Sequence, residues 1–218
     1  MTLAAGSLAS YSLPWYRAGR RCIDAYRCRS VCLRLYRVLY YDDGAGARDP
    51  GGLLFIAPQG DGRLDNPGAY EVLYASDTAA GACAEVFNRG KYRMQWSREM
   101  LRPLPSNPRC VRALAWYDVD DAIPISDLDD PRELVARRLR PPDVITREYA
   151  RTQAWALMIF NSAAVAGVRW WSYHDARWAS MGLWEFGVIT DFGAELLDVD
   201  HPAVRDAADV LSIRVGRS

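Results

Sequence analysis

The segment from residue 60 to residue 87 contains, in order, Gly62-Arg63-Leu64-Asp65-Asn66-Pro67, Tyr70-Glu71-Val72-Leu73-Tyr74-Ala75-Ser76 and Ala82-Cys83-Ala84-Glu85-Val86-Phe87. Its first part is typical of a turn and carries an arginine. The apolar middle predicts a short strand, and the last part predicts a helix with one glutamate among small and apolar residues. One strand–helix unit therefore combines a cation, an aromatic ring and a carboxylate.

The chain is long enough to bury a substantial core. It has 218 residues, of which 50% are hydrophobic and 11% aromatic, and this length fits one large domain or two small ones. No run approaches the roughly 18 uncharged apolar residues of a transmembrane helix, so none is predicted. We predict one domain over residues 31–218, preceded by a flexible basic arm over residues 1–30.

The formal net charge is zero, but the charge is unevenly distributed. Residues 1–40 carry Asp24 and seven arginines, at positions 17, 20, 21, 27, 29, 34 and 37. An arginine-rich arm could bind nucleic acid or an acidic partner. A solvated segment in an arginine-favouring chain is the simpler interpretation, because Lys91 is the only lysine. Direct nucleic-acid binding is therefore not expected.

The cysteines do not form a metal-binding pattern. There are five, and Cys22, Cys28 and Cys32 lack the paired C-x-x-C spacing of a structural zinc site, with neither histidine nearby in sequence. An odd number of cysteines without a secretory signal favours reduced thiols in the cytoplasm. We predict no metal.

Strands and helices are predicted in irregular order. The predicted strands span residues 31–41, 52–57, 70–75, 110–119, 167–172, 183–190 and 196–199. The predicted helices span residues 78–88, capped by Ser76 or Asp77, and residues 131–139, 143–165 and 202–211. The absence of regular βαβ alternation indicates an α+β domain with a mixed or split sheet and flanking helices.

Two charged side chains in the segment 60–87 are candidates for chemistry. Glu85, held between Ala84 and Val86, could stabilise a developing cation or orient a water molecule, or it could be an ordinary surface glutamate. Arg63 lies on a tight turn, where a guanidinium suits a phosphate, although solvent-exposed turn arginines are common.

Two further side chains lie on predicted strands. Arg37 must face water, form an ion pair or point into a cleft, and because Arg34 and Arg37 fall on opposite faces, at most one of them shares a cleft on the core side. Tyr74 ends its strand, where a tyrosine ring can stack on a flat heterocycle or simply pack in the core.

The window Trp170-Trp171-Ser172-Tyr173-His174-Asp175 suggests a serine hydrolase at first sight. However, Ser172, His174 and Asp175 are too close in sequence to align easily as a triad, and there is no G-x-S-x-G turn. Dinucleotide and P-loop fingerprints are also absent.

Four motifs in this order resemble the RES domain family, named for an arginine, a glutamate and a serine. They are Leu35-Tyr36-Arg37-Val38, then Gly62-Arg63-Leu64-Asp65-Asn66-Pro67, then Val72-Leu73-Tyr74-Ala75-Ser76 followed by Ala84-Glu85, and finally Gly167-Val168-Arg169-Trp170-Trp171-Ser172. The resemblance covers roughly residues 31–197, and the order of the motifs is more specific than any one of them.

The resemblance implies an ADP-ribosyltransferase-like fold and an NAD-degrading toxin that cleaves the nicotinamide–ribose bond by hydrolysis or phosphorolysis. It implies catalytic roles for Glu85, Arg37 and Ser172, and substrate binding by Arg63, Tyr74 and Asn66. NAD would be the substrate and phosphate an optional co-substrate, with no further cofactor. The implied partner is an Xre-type helix-turn-helix antitoxin, with a homodimer as another option.

The residues are also compatible with two other functions. The protein could transfer ADP-ribose to a protein, or it could be an inactive nucleotide- or protein-binding module of the same fold. Convergence of Arg37, Arg63, Tyr74 and Glu85 on one cleft would favour an enzyme, and scattered positions would favour a binding module.

Overall fold

A computed structural model describes residues 33–88, 94–120, 124–162 and 164–216. The predicted basic arm, residues 1–30, lies outside them. The strands are β1 (Leu33–Tyr41), β2 (Leu73–Ser76), β3 (Gln95–Trp96), β4 (Val111–Val119), β5 (Ile125–Asp127), β6 (Gly167–Trp171), β7 (Ala179–Leu183), β8 (Ile189–Leu196) and β9 (Arg214–Val215). The helices are α1 (Ala79–Phe87), α2 (Pro131–Ala136), α3 (Pro141–Ile145), α4 (Tyr149–Ser162) and α5 (Pro202–Val210).

Seven strands form one mixed sheet in the order β5-β6-β7-β2-β1-β4-β8. β5 and β6 are parallel, and the other neighbours are antiparallel. β3 and β9 form a separate parallel pair. The α+β class with a mixed sheet and flanking helices, predicted from the order of elements, is confirmed.

The helices cover one face of the sheet in two groups. Val38 and Leu114 pack against α1 and α5 over one half, and Val168 and Trp170 pack against α4 over the other. Because side chains alternate along a strand, Leu35 and Leu39 of β1 point to the face of the sheet opposite Val38. The groove between the two helical groups runs over the middle of the sheet.

The segment 52–57 was predicted to be a strand, and this prediction is wrong. Leu53 packs into the core on the face of the sheet opposite the helices, as an apolar strand would. Its neighbours bond instead within a loop: the amide of Leu54 donates to Ala47 O at 2.7 Å and that of Phe55 to Gly52 O at 3.2 Å. The segment therefore covers the sheet without joining it.

Three other boundaries differ from the prediction. The predicted strand 183–190 is divided: β7 ends at Leu183, a 3-10 turn covers Phe186–Val188, and β8 begins at Ile189 and replaces the strand predicted at 196–199. The predicted helix 143–165 is also divided, because Thr146 is extended after α3. Finally, Thr78 rather than Ser76 or Asp77 caps α1, accepting from the amide of Gly81 at 3.0 Å.

No sequence pattern predicted β7, which lies in the centre of one half of the sheet. Its residues Ala-Ser-Met-Gly-Leu are mostly small, yet all five are buried because β2 and β6 pair with both edges. Gly182 is required by close packing, since a Cβ there would lie 2.3 Å from Leu64 Cδ1. Tertiary pairing therefore overrides weak strand propensity here.

Burial protects the thiol of Cys83 in α1, which is fully buried. Burial raises the pKa of Cys83 to about 12, so its thiolate fraction near pH 8 should be about a thousandfold below that of an exposed cysteine. Iodoacetamide at pH 8 is expected to leave Cys83 unmodified in the folded protein and to alkylate it in guanidinium chloride, as measured by peptide mass spectrometry. Equal labelling in both states would contradict this packing.

Candidate active site

The main cleft lies between α1 and α4 over the middle of the sheet and encloses about 250 Å³. Tyr74 and Ser180 form part of its floor, and Glu85 of α1 lines one side. Its lining is completed by Asp61, Gly62, Arg63, Ile145, Tyr149, Trp170, Trp171 and Tyr173. Among the described residues, the cleft therefore combines two carboxylates and one guanidinium with several aromatic rings.

Glu85 is held by two hydroxyl groups. Ser172 Oγ donates to Glu85 Oε1 at 3.1 Å, and Ser180 Oγ donates to the same oxygen at 3.3 Å. Both serines are buried, and they follow or lie on neighbouring strands β6 and β7. The Glu85 side chain is 31% exposed, so it is fixed in orientation while still reaching the cleft.

His174 approaches the other oxygen of this carboxylate. Its Nε2 lies 3.7 Å from Glu85 Oε2, and its side chain is only 10% exposed. Asn88 Nδ2 lies 3.2 Å from His174 Nδ1 and can only donate there. This assigns the proton of a neutral ring to Nε2, which faces Glu85. The backbone amide of His174 also donates to Ser172 Oγ at 3.2 Å.

The turn at residues 60–65 is organised by the buried carboxylate of Asp65. Its Oδ2 accepts from the amides of Gly60 at 2.8 Å and Gly62 at 2.7 Å, and its Oδ1 accepts from the hydroxyl of Tyr74 at 2.7 Å. Gly62 allows this close approach, since a Cβ there would lie 2.5 Å from Asp65 Oδ1. Burial raises the pKa of Tyr74, which therefore stays protonated and keeps donating.

Arg63 is presented to the main cleft by this turn. Its Nη1 donates to the carbonyls of Val144 and Thr146, the latter at 3.0 Å, and its guanidinium lies 5.7 Å from the Tyr149 ring centroid. Burial lowers the pKa of Arg63, while Tyr149 and Glu85 oppose the shift. An arginine remains charged at neutral pH even so.

Arg37 lies beside a gap between β1 and β2. These two strands share a single register pair, Tyr36 with Ser76, whereas β1 pairs with β4 along its whole length. The strand gap encloses about 70 Å³ and is lined by Arg37 and Val38 on one side and by Tyr74 and Glu85 on the other. It therefore connects Arg37 with the main cleft. Arg34, by contrast, pairs with Asp118 at 2.7 Å.

Asn66 is the candidate that the structure does not bring to the cleft. Its Nδ2 lies within 3.0–3.2 Å of Leu64 O, Tyr70 Oη and Gln153 O, and it is not among the lining residues. The side chain therefore fastens the turn to α4. The other five candidates, Arg37, Arg63, Tyr74, Glu85 and Ser172, converge on the main cleft and the strand gap.

Sequence reasoning missed Ser180, Asn88 and the role of His174. The serine–histidine–aspartate arrangement is not formed, because Ser172 donates to Glu85 and Asp175 pairs with Arg177 at 2.8 Å. The spacing of Ser172 and His174 at a strand end was an available signal for a shared partner. Ser180 gave none, because its strand was not predicted.

Metal-ligand clusters and membrane-spanning helices are both absent from the described residues. Within them, no three or more histidine, cysteine or carboxylate side chains are grouped as metal ligands. Nor does any helix in the described parts of the chain combine the length and apolar character needed to cross a bilayer.

Comparison with known proteins identifies the family. No curated protein sequence matches the chain significantly. Among solved structures, it is similar to a chain of the crystal structure of the M. tuberculosis MbcT–MbcA toxin–antitoxin complex, with 14% identity and a TM-score of 0.50 over 84% of this chain and 91% of that chain, a likeness of fold. The sequence model of the RES domain matches residues 34–204. The chain therefore belongs to the RES domain family.

Proposed function

We propose that the protein is an NAD-degrading toxin that cleaves the bond between nicotinamide and ribose. RES-domain toxins act on NAD in general, and this reaction suits the residues of the main cleft. The observation that carries the proposal is the Glu85 carboxylate, anchored by Ser172 and Ser180 at the wall of a cleft with aromatic rings and a guanidinium.

The chemistry requires a fixed negative charge. As the C1′–N1 bond of NAD breaks, its electron pair moves to the pyridinium nitrogen, nicotinamide leaves neutral and positive charge builds on the ribose. A preorganised carboxylate stabilises that charge most strongly in the transition state, so Glu85 would mainly raise kcat. Tyr74 would pack against the nicotinamide, and Arg37 and Arg63 would hold the diphosphate. Ser172 would keep Glu85 in place.

Product analysis distinguishes the possible acceptors. The protein is incubated with NAD, with and without phosphate and with a cell extract as a source of protein acceptors. Nicotinamide with ADP-ribose means hydrolysis, nicotinamide with ADP-ribose-1″-phosphate means phosphorolysis, and labelled protein means ADP-ribosyl transfer. We expect hydrolysis or phosphorolysis. Intact NAD under all conditions would instead favour a binding module of the same fold.

Replacement of Glu85 by glutamine tests the central residue. Glu85→Gln keeps the shape but removes the charge, so we expect kcat for NAD to fall about 10²-fold or more while KM changes less. The matched control is Glu71→Gln, because Glu71 is exposed and has no hydrogen bond or ion pair within the described chain. Full NAD turnover by Glu85→Gln would make the assignment wrong.

His174 is expected to act as a positioning residue through its contact with Glu85. His174→Ala should lower kcat about tenfold with little change in KM, and His174→Gln, which retains an N–H donor, should recover part of the loss. Asn88→Ala should have a smaller effect in the same direction, because it frees the ring tautomer. Asn161→Ala, at an exposed position, is the control.

Equal loss of activity in His174→Ala and His174→Gln would show that the N–H donor does not matter. A change in KM alone would place His174 in substrate binding rather than in the orientation of Glu85.

A partner is part of the proposal. The structure with a similar fold comes from a toxin–antitoxin complex, which supports a cognate antitoxin, proposed here to be an Xre-type helix-turn-helix protein. The same proposal places the protein in the cytoplasm, where it would encounter both NAD and the antitoxin. Induction in cells should arrest growth while cellular NAD falls, and growth with constant NAD would contradict toxicity by this route.

A further inference from the structure

A second concave surface continues the strand gap on the side away from Glu85. This far groove encloses about 420 Å³ and shares Arg37 and Val38 with the strand gap. Its walls come from β1, from the segment 50–57 and from the segment 104–112. The main cleft, the strand gap and the far groove are thus linked by shared residues, and the far groove is the largest of the three.

The chemistry of the far groove differs from that of the main cleft. Its surface is largely apolar and includes Leu39, Phe55 and Leu104. Its charged lining residues are Arg37 and Arg112, and no acidic side chain lines it within the described chain. The Arg112 guanidinium lies 3.7 Å from the Tyr40 ring centroid, and Asn107 offers an amide. Such a surface suits a flat neutral heterocycle that carries a phosphate.

The charges of the two cavities predict the orientation in which a dinucleotide binds. The nicotinamide ring of NAD is a cation, so it favours the main cleft, where Asp61 and Glu85 lie, over a groove lined by two guanidiniums. Adenine is neutral, and the diphosphate that joins the two nucleosides is anionic. Arg37 lines both the strand gap and the far groove, where a diphosphate between the two subsites would pass.

We infer that the far groove is the subsite for the adenosine half of the dinucleotide. This inference rests on the proposed function, and it adds an enzyme surface remote from the bond that is cleaved. Contacts in such a subsite can raise kcat as well as affinity, because remote binding energy helps to orient the reacting group. Adenosine monophosphate, which carries the base, ribose and phosphate, should bind there without any nicotinamide.

Binding measurements on the full chain test the subsite without relying on turnover. Ala57→Trp places a bulky ring in the groove from an exposed position, and Ser106→Trp does so from the opposite wall. Ala136→Trp is the matched control, because Ala136 is exposed on α2 and outside the three cavities. Calorimetry measures the affinity for adenosine monophosphate, ribose 5-phosphate and nicotinamide mononucleotide, and thermal melting checks folding.

We expect each groove variant to weaken adenosine monophosphate about tenfold or more and to leave nicotinamide mononucleotide within about twofold. Ala136→Trp should change neither. The inference is overturned if adenosine monophosphate does not bind, if ribose 5-phosphate binds equally well, or if the folded groove variants keep full affinity or lose both mononucleotides equally. Selective loss of adenosine monophosphate in a protein that leaves NAD intact would support the subsite and refute the proposed reaction.

Discussion

The geometry of the site depends on the hydrogen bonds of the buried Asp65 carboxylate. A desolvated carboxylate is costly unless its oxygens are hydrogen-bonded, and here two backbone amides and the Tyr74 hydroxyl meet that need. The two amide bonds close the turn, and the bond from Tyr74 ties the turn to β2. Arg63 can therefore reach the cleft from a loop. The ring of Tyr74 is held in the floor of the cleft, because its hydroxyl donates to Asp65 and accepts from the amide of Leu64.

Glu85 illustrates the opposite arrangement, in which a carboxylate is anchored but left partly accessible. Ser172 and Ser180 hold one oxygen, and His174 approaches the other. The two hydroxyl donors orient the group and carry no charge of their own. Ser172 thus orients Glu85 within this chain.

The sequence predicted the elements whose patterns are strong and local. β1, β4 and α1 follow from alternation and apolar runs, although the cap of α1 was placed at the wrong residue. Arg63, Tyr74 and Glu85 line one cleft, as their shared strand–helix unit indicated. The sequence could not predict β7, whose small residues are ordered by neighbours on both sides, and so it missed Ser180. The segment 52–57 has a strand-like composition because it covers an apolar face, and only tertiary contacts show that it bonds elsewhere.

The strand gap explains how residues on opposite faces of one sheet can serve one site. Arg37 alternates with Val38 along β1, so in a continuous sheet it would be separated from Glu85 by the backbone layer. β1 and β2 pair only at Tyr36 and Ser76 and diverge from that pair toward Arg37. Arg37 and Glu85 therefore line the same opening. A diphosphate in that opening could meet the guanidinium from one side while the ribose meets the carboxylate from the other. An unbroken ladder would close this opening, so the proposed binding mode requires β1 and β2 to part.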